Sequence, residues 1–125
     1  MKTLKAVMTA QAVVLLVYGV PYLLIPKWMT MLTQQLPLPE NYFLRAVGIA
    51  FVILASLELQ IAGDLERYRG LTLAYAVLPA LFLLTILLQA FWRGFNGAPW
   101  FWLVNAGVSG VFTLAVFTGR RELPA

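Results

Sequence analysis

The segment GLTLAYAVLPALFLLTILLQAFW, residues 70–92, contains no charged side chain. An α-helix of about 20 apolar residues is long enough to cross the roughly 30 Å hydrocarbon layer of a bilayer. Three further apolar segments of comparable length occupy residues 6–26, 42–62 and 99–118. The sequence therefore predicts an all-α fold, a four-transmembrane-helix antiparallel bundle in which residues 1–125 form one integral membrane domain.

The composition supports a membrane protein and excludes several kinds of active site. Apolar residues make up 62% of the chain and charged residues 11%, against about 45–50% and about 25% in soluble domains. The chain has no cysteine and no histidine, which removes disulfides, thiolate nucleophiles and ordinary zinc sites. No catalytic motif occurs either, so we expect no metal and no cofactor.

The segments that join the spans also carry structural signals. Residues 27–39 place four apolar side chains on one helical face, those of Trp28, Met31, Leu32 and Leu36. This predicts a short interfacial helix that acts either as a lid over a pocket or as a linker at headgroup depth. After the second span, Gly63 is typical of a helix end, and Asp64 is expected to be the N-cap of the third spanning helix. Small residues at helical spacing predict close helix contacts, at Ala46 with Ala50 and at Ala106 with Gly110.

The basic residues predict the orientation in the membrane. Six of them fall on the side of the two termini and three on the other side: Lys2, Lys5, Arg67, Arg69, Arg120 and Arg121 against Lys27, Arg45 and Arg93. The positive-inside rule then places both termini in the cytoplasm, for a protein of the bacterial inner (cytoplasmic) membrane. This topology accounts for the net charge of +4, so no nucleic-acid partner is expected.

Polar residues in the outer half of the bundle predict a candidate ligand site. Arg45 lies about one turn inside the second span, and counting helical rise places Gln89, Asn105 and Tyr22 at a similar depth. An Arg with two amides and a phenol suits an anionic or carbonyl-bearing lipophilic head. The alternative is that Arg45 extends to lipid phosphates while the two amides only bond helix to helix.

The inner half contains one acidic residue within a span, Glu58. Gln11 is expected at a similar depth, and Tyr75 and Thr113 are candidates to complete a hydrogen-bonded group. Ionisable residues within membranes are costly and often functional, which makes Glu58 the candidate catalytic acid. The alternative is a structural carboxyl, since no second acid, histidine or lysine accompanies it to relay a proton.

Four short stretches together resemble a known family. They are Gly19 with the apolar run that follows it, Arg45-Ala-Val-Gly48, Asp64 with Tyr68-Arg69, and Asn105-Ala-Gly107. In these positions the chain resembles the DoxX-like group of small bacterial four-helix membrane proteins. The resemblance implies a four-span bundle, and for some members an association with quinone-linked sulfur oxidation or with membrane redox partners. It implies no catalytic residue.

Two classes of function remain open at this point. Nearly all of the chain is membrane-spanning, which favours an accessory or assembly subunit that binds other membrane subunits or forms a homo-oligomer within the lipid. The alternative is a protein, or a membrane enzyme, that binds a lipophilic small molecule (a quinone, an isoprenoid or a lipid) in a pocket near Arg45. A transporter is less favoured because the bilayer centre is apolar on every span.

Overall fold

The computed structural model describes residues 2–35, 42–92 and 97–123. These residues form helices α1 (Lys2–Leu24), α2 (Pro26–Leu32), α3 (Tyr42–Gly63), α4 (Thr72–Trp92) and α5 (Pro99–Gly119), followed by a 3-10 turn (Arg120–Glu122). No strand occurs among them. The helices α1, α3, α4 and α5 are each long and apolar enough to cross a membrane. The predicted all-α fold with four spans is confirmed, and the protein is a multi-pass membrane protein.

The four spanning helices are arranged around the bundle in the order α3, α1, α5, α4. Helix α1 packs against α3 most extensively and also against α5, while α5 packs against α4. The backbones of α3 and α4 come close at very few points among the described residues, although a short hairpin connects these two helices. The fold therefore consists of two closely packed pairs, α1 with α3 and α4 with α5, joined along α1 and α5.

Helices α1 and α3 make their closest contact at two glycines. A Cβ atom added to Gly48 would lie 2.5 Å from the backbone nitrogen of Leu23 and 2.6 Å from the carbonyl oxygen of Gly19. Only glycine permits two backbones to approach this closely. The predicted contact at Ala46 and Ala50 was wrong, because Ala50 is exposed and the helices cross on the face that carries Gly48.

Helix α2 ends earlier than predicted and fixes the outer end of the bundle. Its apolar residues Trp28, Met31 and Leu32 are exposed, whereas Met29 is buried. The carbonyl oxygen of Thr33 accepts a hydrogen bond of 2.8 Å from the N–H of Ala98, which directly precedes α5. The remainder of the predicted interfacial segment, residues 36–39, lies outside the described residues. Helix α2 therefore connects α1 to the start of α5 and turns an apolar face outward.

The inner end of the bundle brings the two chain ends and the α3–α4 hairpin together. The N–H of Leu4 donates to Glu122 Oε1 at 3.0 Å, and Arg120 Nε donates to Thr72 Oγ1 at 2.9 Å. Asp64 accepts a long bond of 3.4 Å from the N–H of Arg67, but the chain continues in turns until α4 begins at Thr72. Asp64 therefore caps a turn, and the prediction that it begins the third spanning helix was wrong.

The hydrophobic core lies mainly in the inner half. Its buried members are Leu4, Met8, Ala12, Leu15, Ala55, Ile61, Ala62, Leu65, Tyr75, Ala76 and Val116. Helix α4 contributes buried residues only up to Pro79, and no residue from Ala80 to Phe91 is buried. The outer half of the bundle has fewer buried residues, and a cavity lies there between the two helix pairs.

Candidate functional site

A cavity of about 390 Å³ lies between the four spanning helices. All four contribute to its wall, together with Gln35, which follows α2. Within α1 the lining extends from Gln11 to Tyr22, a separation of about 16 Å at 1.5 Å per residue. The middle of the wall is apolar, with aromatic rings from Phe51, Phe82 and Phe112. The volume and the largely apolar lining are typical of small-molecule sites, which range from about 300 to about 1,000 Å³.

The polar groups of the wall are concentrated toward the outer end. The hydroxyl of Tyr18 donates to Asn105 Oδ1, and the hydroxyl of Tyr22 donates to Gln35 Oε1 at 3.1 Å. Each amide also carries two N–H donors. Among the residues that the structure describes, none that lines the cavity is charged. The outer end therefore offers hydrogen-bonding groups without a formal charge.

The structure divides the four residues predicted to bind a ligand into two groups. Tyr22 and Asn105 both line the cavity, whereas Arg45 and Gln89 are exposed and do not line it. Counting helical rise placed Tyr22 and Asn105 in the wall of the same cavity, although Asn105 bonds to Tyr18, one turn deeper on α1 than Tyr22. It did not establish which way each side chain faces, because facing depends on how the helices pack.

Two further residues of the outer end were not singled out from the sequence. Tyr18 lies one turn before Tyr22 on α1, and this spacing places both phenols on the same helix face. That signal was present in the sequence. Gln35 follows α2, and it is held at the cavity by its backbone bond to Thr30, its side-chain bond to Tyr22 and the docking of Thr33 against Ala98. No sequence signal predicted its position.

Aromatic residues at the start of α5 form the outer wall of the cavity. Phe101 is buried, with its ring centroid 6.3 Å from that of Tyr18 and 5.3 Å from that of Trp102. Phe101 and Trp102 line the cavity, whereas Trp100 is half exposed and Phe91 is 91% exposed. The outer aromatics therefore serve two purposes, since some face the cavity and others form the belt expected at a membrane interface.

At the inner end, the amide of Gln11 compensates for a proline in α4. Pro79 has no N–H, so the carbonyl of Tyr75 loses the donor that an α-helix supplies from four residues ahead. Gln11 Nε2 donates to this carbonyl oxygen at 3.0 Å. Buried carbonyls in membranes require such replacement donors. The expected proximity of Gln11 and Tyr75 is confirmed, and its cause is the gap that Pro79 leaves.

Glu58 lies in the core, apart from the cavity. It has no exposed surface, and neither carboxyl oxygen has a hydrogen-bond partner among the described residues. The other members of its predicted group bond elsewhere, since the Tyr75 hydroxyl donates to the Leu54 carbonyl at 2.6 Å and Thr113 donates to Ser109 in its own helix. Glu58 is not among the described residues that line the cavity, and its catalytic role stays a prediction.

The acidic side chains are too dispersed for a metal centre in the part of the chain that the structure describes. Comparison with protein-family models, curated proteins and solved structures finds no match to this chain. The resemblance to the DoxX-like group therefore stays a prediction.

Proposed function

We propose that this protein binds an uncharged lipophilic small molecule in the cavity between its four spanning helices. The observation that carries the proposal is the cavity of about 390 Å³, with an apolar middle and polar groups at one end. This distribution suits a molecule with a hydrocarbon body and an oxygen-bearing head. The head lies beside Tyr18, Tyr22, Gln35 and Asn105, and the body lies among the phenylalanine rings.

The described part of the cavity wall carries no charge, which narrows the class of ligand that we propose. Moving a charged head group from water into a protein interior without an opposite charge beside it costs roughly several kcal/mol of desolvation free energy. Arg45 lies outside the wall, so the anionic head that the sequence allowed is disfavoured. Quinones, isoprenoid alcohols and uncharged lipids remain, because each has a carbonyl or hydroxyl oxygen and no formal charge.

An accessory or assembly subunit is the other class that the sequence favours. Such a subunit needs helix surfaces that bind other chains. The exposed apolar side chains of α4 and α5 are equally suited to acyl chains, so they favour neither class. The cavity favours ligand binding.

Two valines of α5 provide a matched test. Val108 lines the cavity, whereas Val111 is 65% exposed and does not line it. The wild type, Val108→Phe and Val111→Phe are purified in mild detergent, and the lipophilic molecules that remain bound are measured by native mass spectrometry. We expect a bound species in the wild type and in Val111→Phe, and at least a tenfold lower occupancy in Val108→Phe, a difference of about 1.4 kcal/mol.

Equal occupancy in the two variants would place the bound species on the outer surface and contradict the proposal. Copurification of large protein subunits with no lipophilic molecule would favour the accessory class instead. Circular dichroism and gel filtration of both variants serve as controls for folding.

A further inference from the structure

The seam between α3 and α4 differs from the other three seams of the bundle. The pairs α1 with α3, α1 with α5, and α4 with α5 are each closed by backbone contacts, whereas α3 and α4 have very few among the described residues. The contacts across this seam therefore involve mainly side chains among the described residues. Its tightness therefore depends on which side chains face each other at each depth.

The inner part of the seam is bridged. The hydroxyl of Tyr75 on α4 donates to the carbonyl of Leu54 on α3 at 2.6 Å. Further outward, the rings of Phe51 on α3 and Phe82 on α4 meet edge to face with centroids 5.7 Å apart. An aromatic pair of this geometry is favourable by about 0.5–1.5 kcal/mol beyond its burial, and it marks the boundary between the inner and outer parts of the seam.

Beyond this aromatic pair, the cavity reaches the outer surface of the bundle. Val47 on α3 and Thr85 on α4 both line the cavity, and both are exposed, Val47 at 42%. A residue that lines the cavity and is also exposed marks a place where the cavity opens to the surface, which we call the mouth. No residue of α4 from Ala80 to Phe91 is buried, so this half of α4 does not close the gap.

The depth of the mouth determines which solvent it meets. Val47 is five residues from the start of α3 and Thr85 is seven residues from the end of α4, which places them about 8 and about 10 Å inside the helix ends. The ends of spanning helices lie near the headgroups. The mouth therefore faces acyl chains rather than water.

We propose that ligands reach the cavity sideways from the bilayer, through a mouth between the outer halves of α3 and α4 bordered by Val47 and Thr85. This inference rests on the proposed ligand-binding function. A lipophilic molecule that takes this route stays in an apolar medium throughout and does not cross the headgroups. The competing route leads from water at the outer end, past Gln35 and Trp102.

The test measures how fast a ligand enters and leaves the cavity. The protein is placed in phosphatidylcholine nanodiscs, and a long-chain alcohol brominated on its alkyl chain is added, because bromine quenches tryptophan fluorescence on contact. Trp102 lines the cavity. Its fluorescence is obtained by subtracting the fluorescence of the Trp102→Phe variant from that of the wild type. Rates are measured by stopped-flow mixing with unlabelled nanodiscs.

The variants Val47→Phe and Thr85→Phe narrow the proposed mouth, and Ile53→Phe is the matched control, since Ile53 is 53% exposed on α3 and does not line the cavity. We expect uptake and release to slow by about fivefold or more in the two mouth variants, with a smaller change in affinity, because a narrowed path acts on both rates. Ile53→Phe should behave as the wild type. If one mouth variant does not fold, the other carries the test.

Two outcomes would overturn the inference in distinguishable ways. If Gln35→Phe slows exchange and both mouth variants exchange as the wild type does, ligands enter from the water side and the binding function stands. If the Trp102 signal of the wild type is not quenched at any alcohol concentration, the cavity does not bind this class of molecule, and both proposals fail.

Discussion

The side-chain amide of Gln11 supplies a hydrogen bond that the backbone of α4 lacks. Pro79 leaves the Tyr75 carbonyl without its helical donor, and Gln11 Nε2 donates to it from α1. This bond links α1 to α4, two helices whose backbones have very few close contacts among the described residues. One polar residue on an apolar helix thereby couples the two helix pairs.

A double-mutant cycle tests this compensation. Gln11→Leu leaves a buried carbonyl without a donor, and we expect it to lower the free energy of unfolding by about 1–3 kcal/mol. In a Pro79→Ala background, the backbone N–H of residue 79 can donate to the Tyr75 carbonyl in place of Gln11. There, Gln11→Leu should lower the free energy of unfolding by at least about 1 kcal/mol less than in the wild-type background. Unfolding in detergent micelles measures both effects.

The control for this cycle is Gln60→Leu, which removes an exposed amide from α3 and should have little effect on stability. An equal cost of Gln11→Leu in the two backgrounds would show that the amide stabilises the bundle through a different partner.

Glu58 is a buried carboxyl without a hydrogen-bond partner among the described residues. We expect Glu58→Met, which keeps a similar side-chain length, to raise the free energy of unfolding by about 1 kcal/mol or more, because it removes an unsatisfied polar group. Thermal unfolding in micelles measures the effect. The matched control is Leu59→Met on the exposed face of the same helix.

A loss of stability of that size in Glu58→Met would indicate that the carboxyl stabilises the folded bundle. Whether Glu58 takes part in function is tested separately, by measuring ligand binding. A stable Glu58→Met protein that has lost binding or activity would support a role for Glu58 in the mechanism.

At the scale of the helices, the α1–α3 pair depends on the absence of a side chain at one position. Gly48→Ala places a methyl group 2.5 Å from the Leu23 nitrogen, which is backbone and cannot rotate away. We expect a loss of about 1–3 kcal/mol in the free energy of unfolding, the usual cost of overpacking, or more. Gly107→Ala is the control, because nothing lies within 4 Å of its added Cβ.

Gly107→Ala should be neutral or slightly stabilising, since alanine favours helix by up to about 1 kcal/mol over glycine. Equal stability of the two variants would mean that the helices separate at Gly48 without cost and that the crossing is not fixed there.

At the scale of the whole molecule, the bundle has two chemically different ends. Hydrogen bonds at one end join both termini and the start of α4, through Leu4 with Glu122 and Arg120 with Thr72. The other end is formed by α2, the start of α5 and the aromatic residues around Phe101. The six basic residues that decided the predicted orientation all belong to the end with the termini.

The orientation itself is a testable prediction. Because basic residues near spans are retained on the cytoplasmic side, we expect a C-terminal fusion to a reporter active only in the cytoplasm to give a signal, and a fusion to a reporter active only outside to give none. Activity of the second fusion alone would reverse the topology. A fusion after Trp28 in the α2 region serves as the opposite control.

Counting residues predicted the depth of side chains in the membrane better than it predicted the direction in which they face. Tyr22 and Asn105 meet at one cavity, as counting residues indicated, because helical rise is nearly constant. Arg45 is exposed, and Gln35 reaches the cavity through its bonds to Thr30 and Tyr22 and the contact between Thr33 and Ala98. Rotation about a helix axis and long-range docking are properties of the packed bundle, so residue spacing does not determine them.

The amino-acid sequence by itself determined that the chain folds in lipid, how many times it crosses and where its polar joints lie, because the length and apolar character of each span are local properties. Only the tertiary structure decided which helices pair, that Gly48 is the crossing point, and that the two helix pairs leave a cavity between them. The physical reason is that side chains facing lipid and side chains facing neighbouring helices are equally apolar, so no amphipathic stripe marks the inward face, and only the packing of the assembled helices selects it.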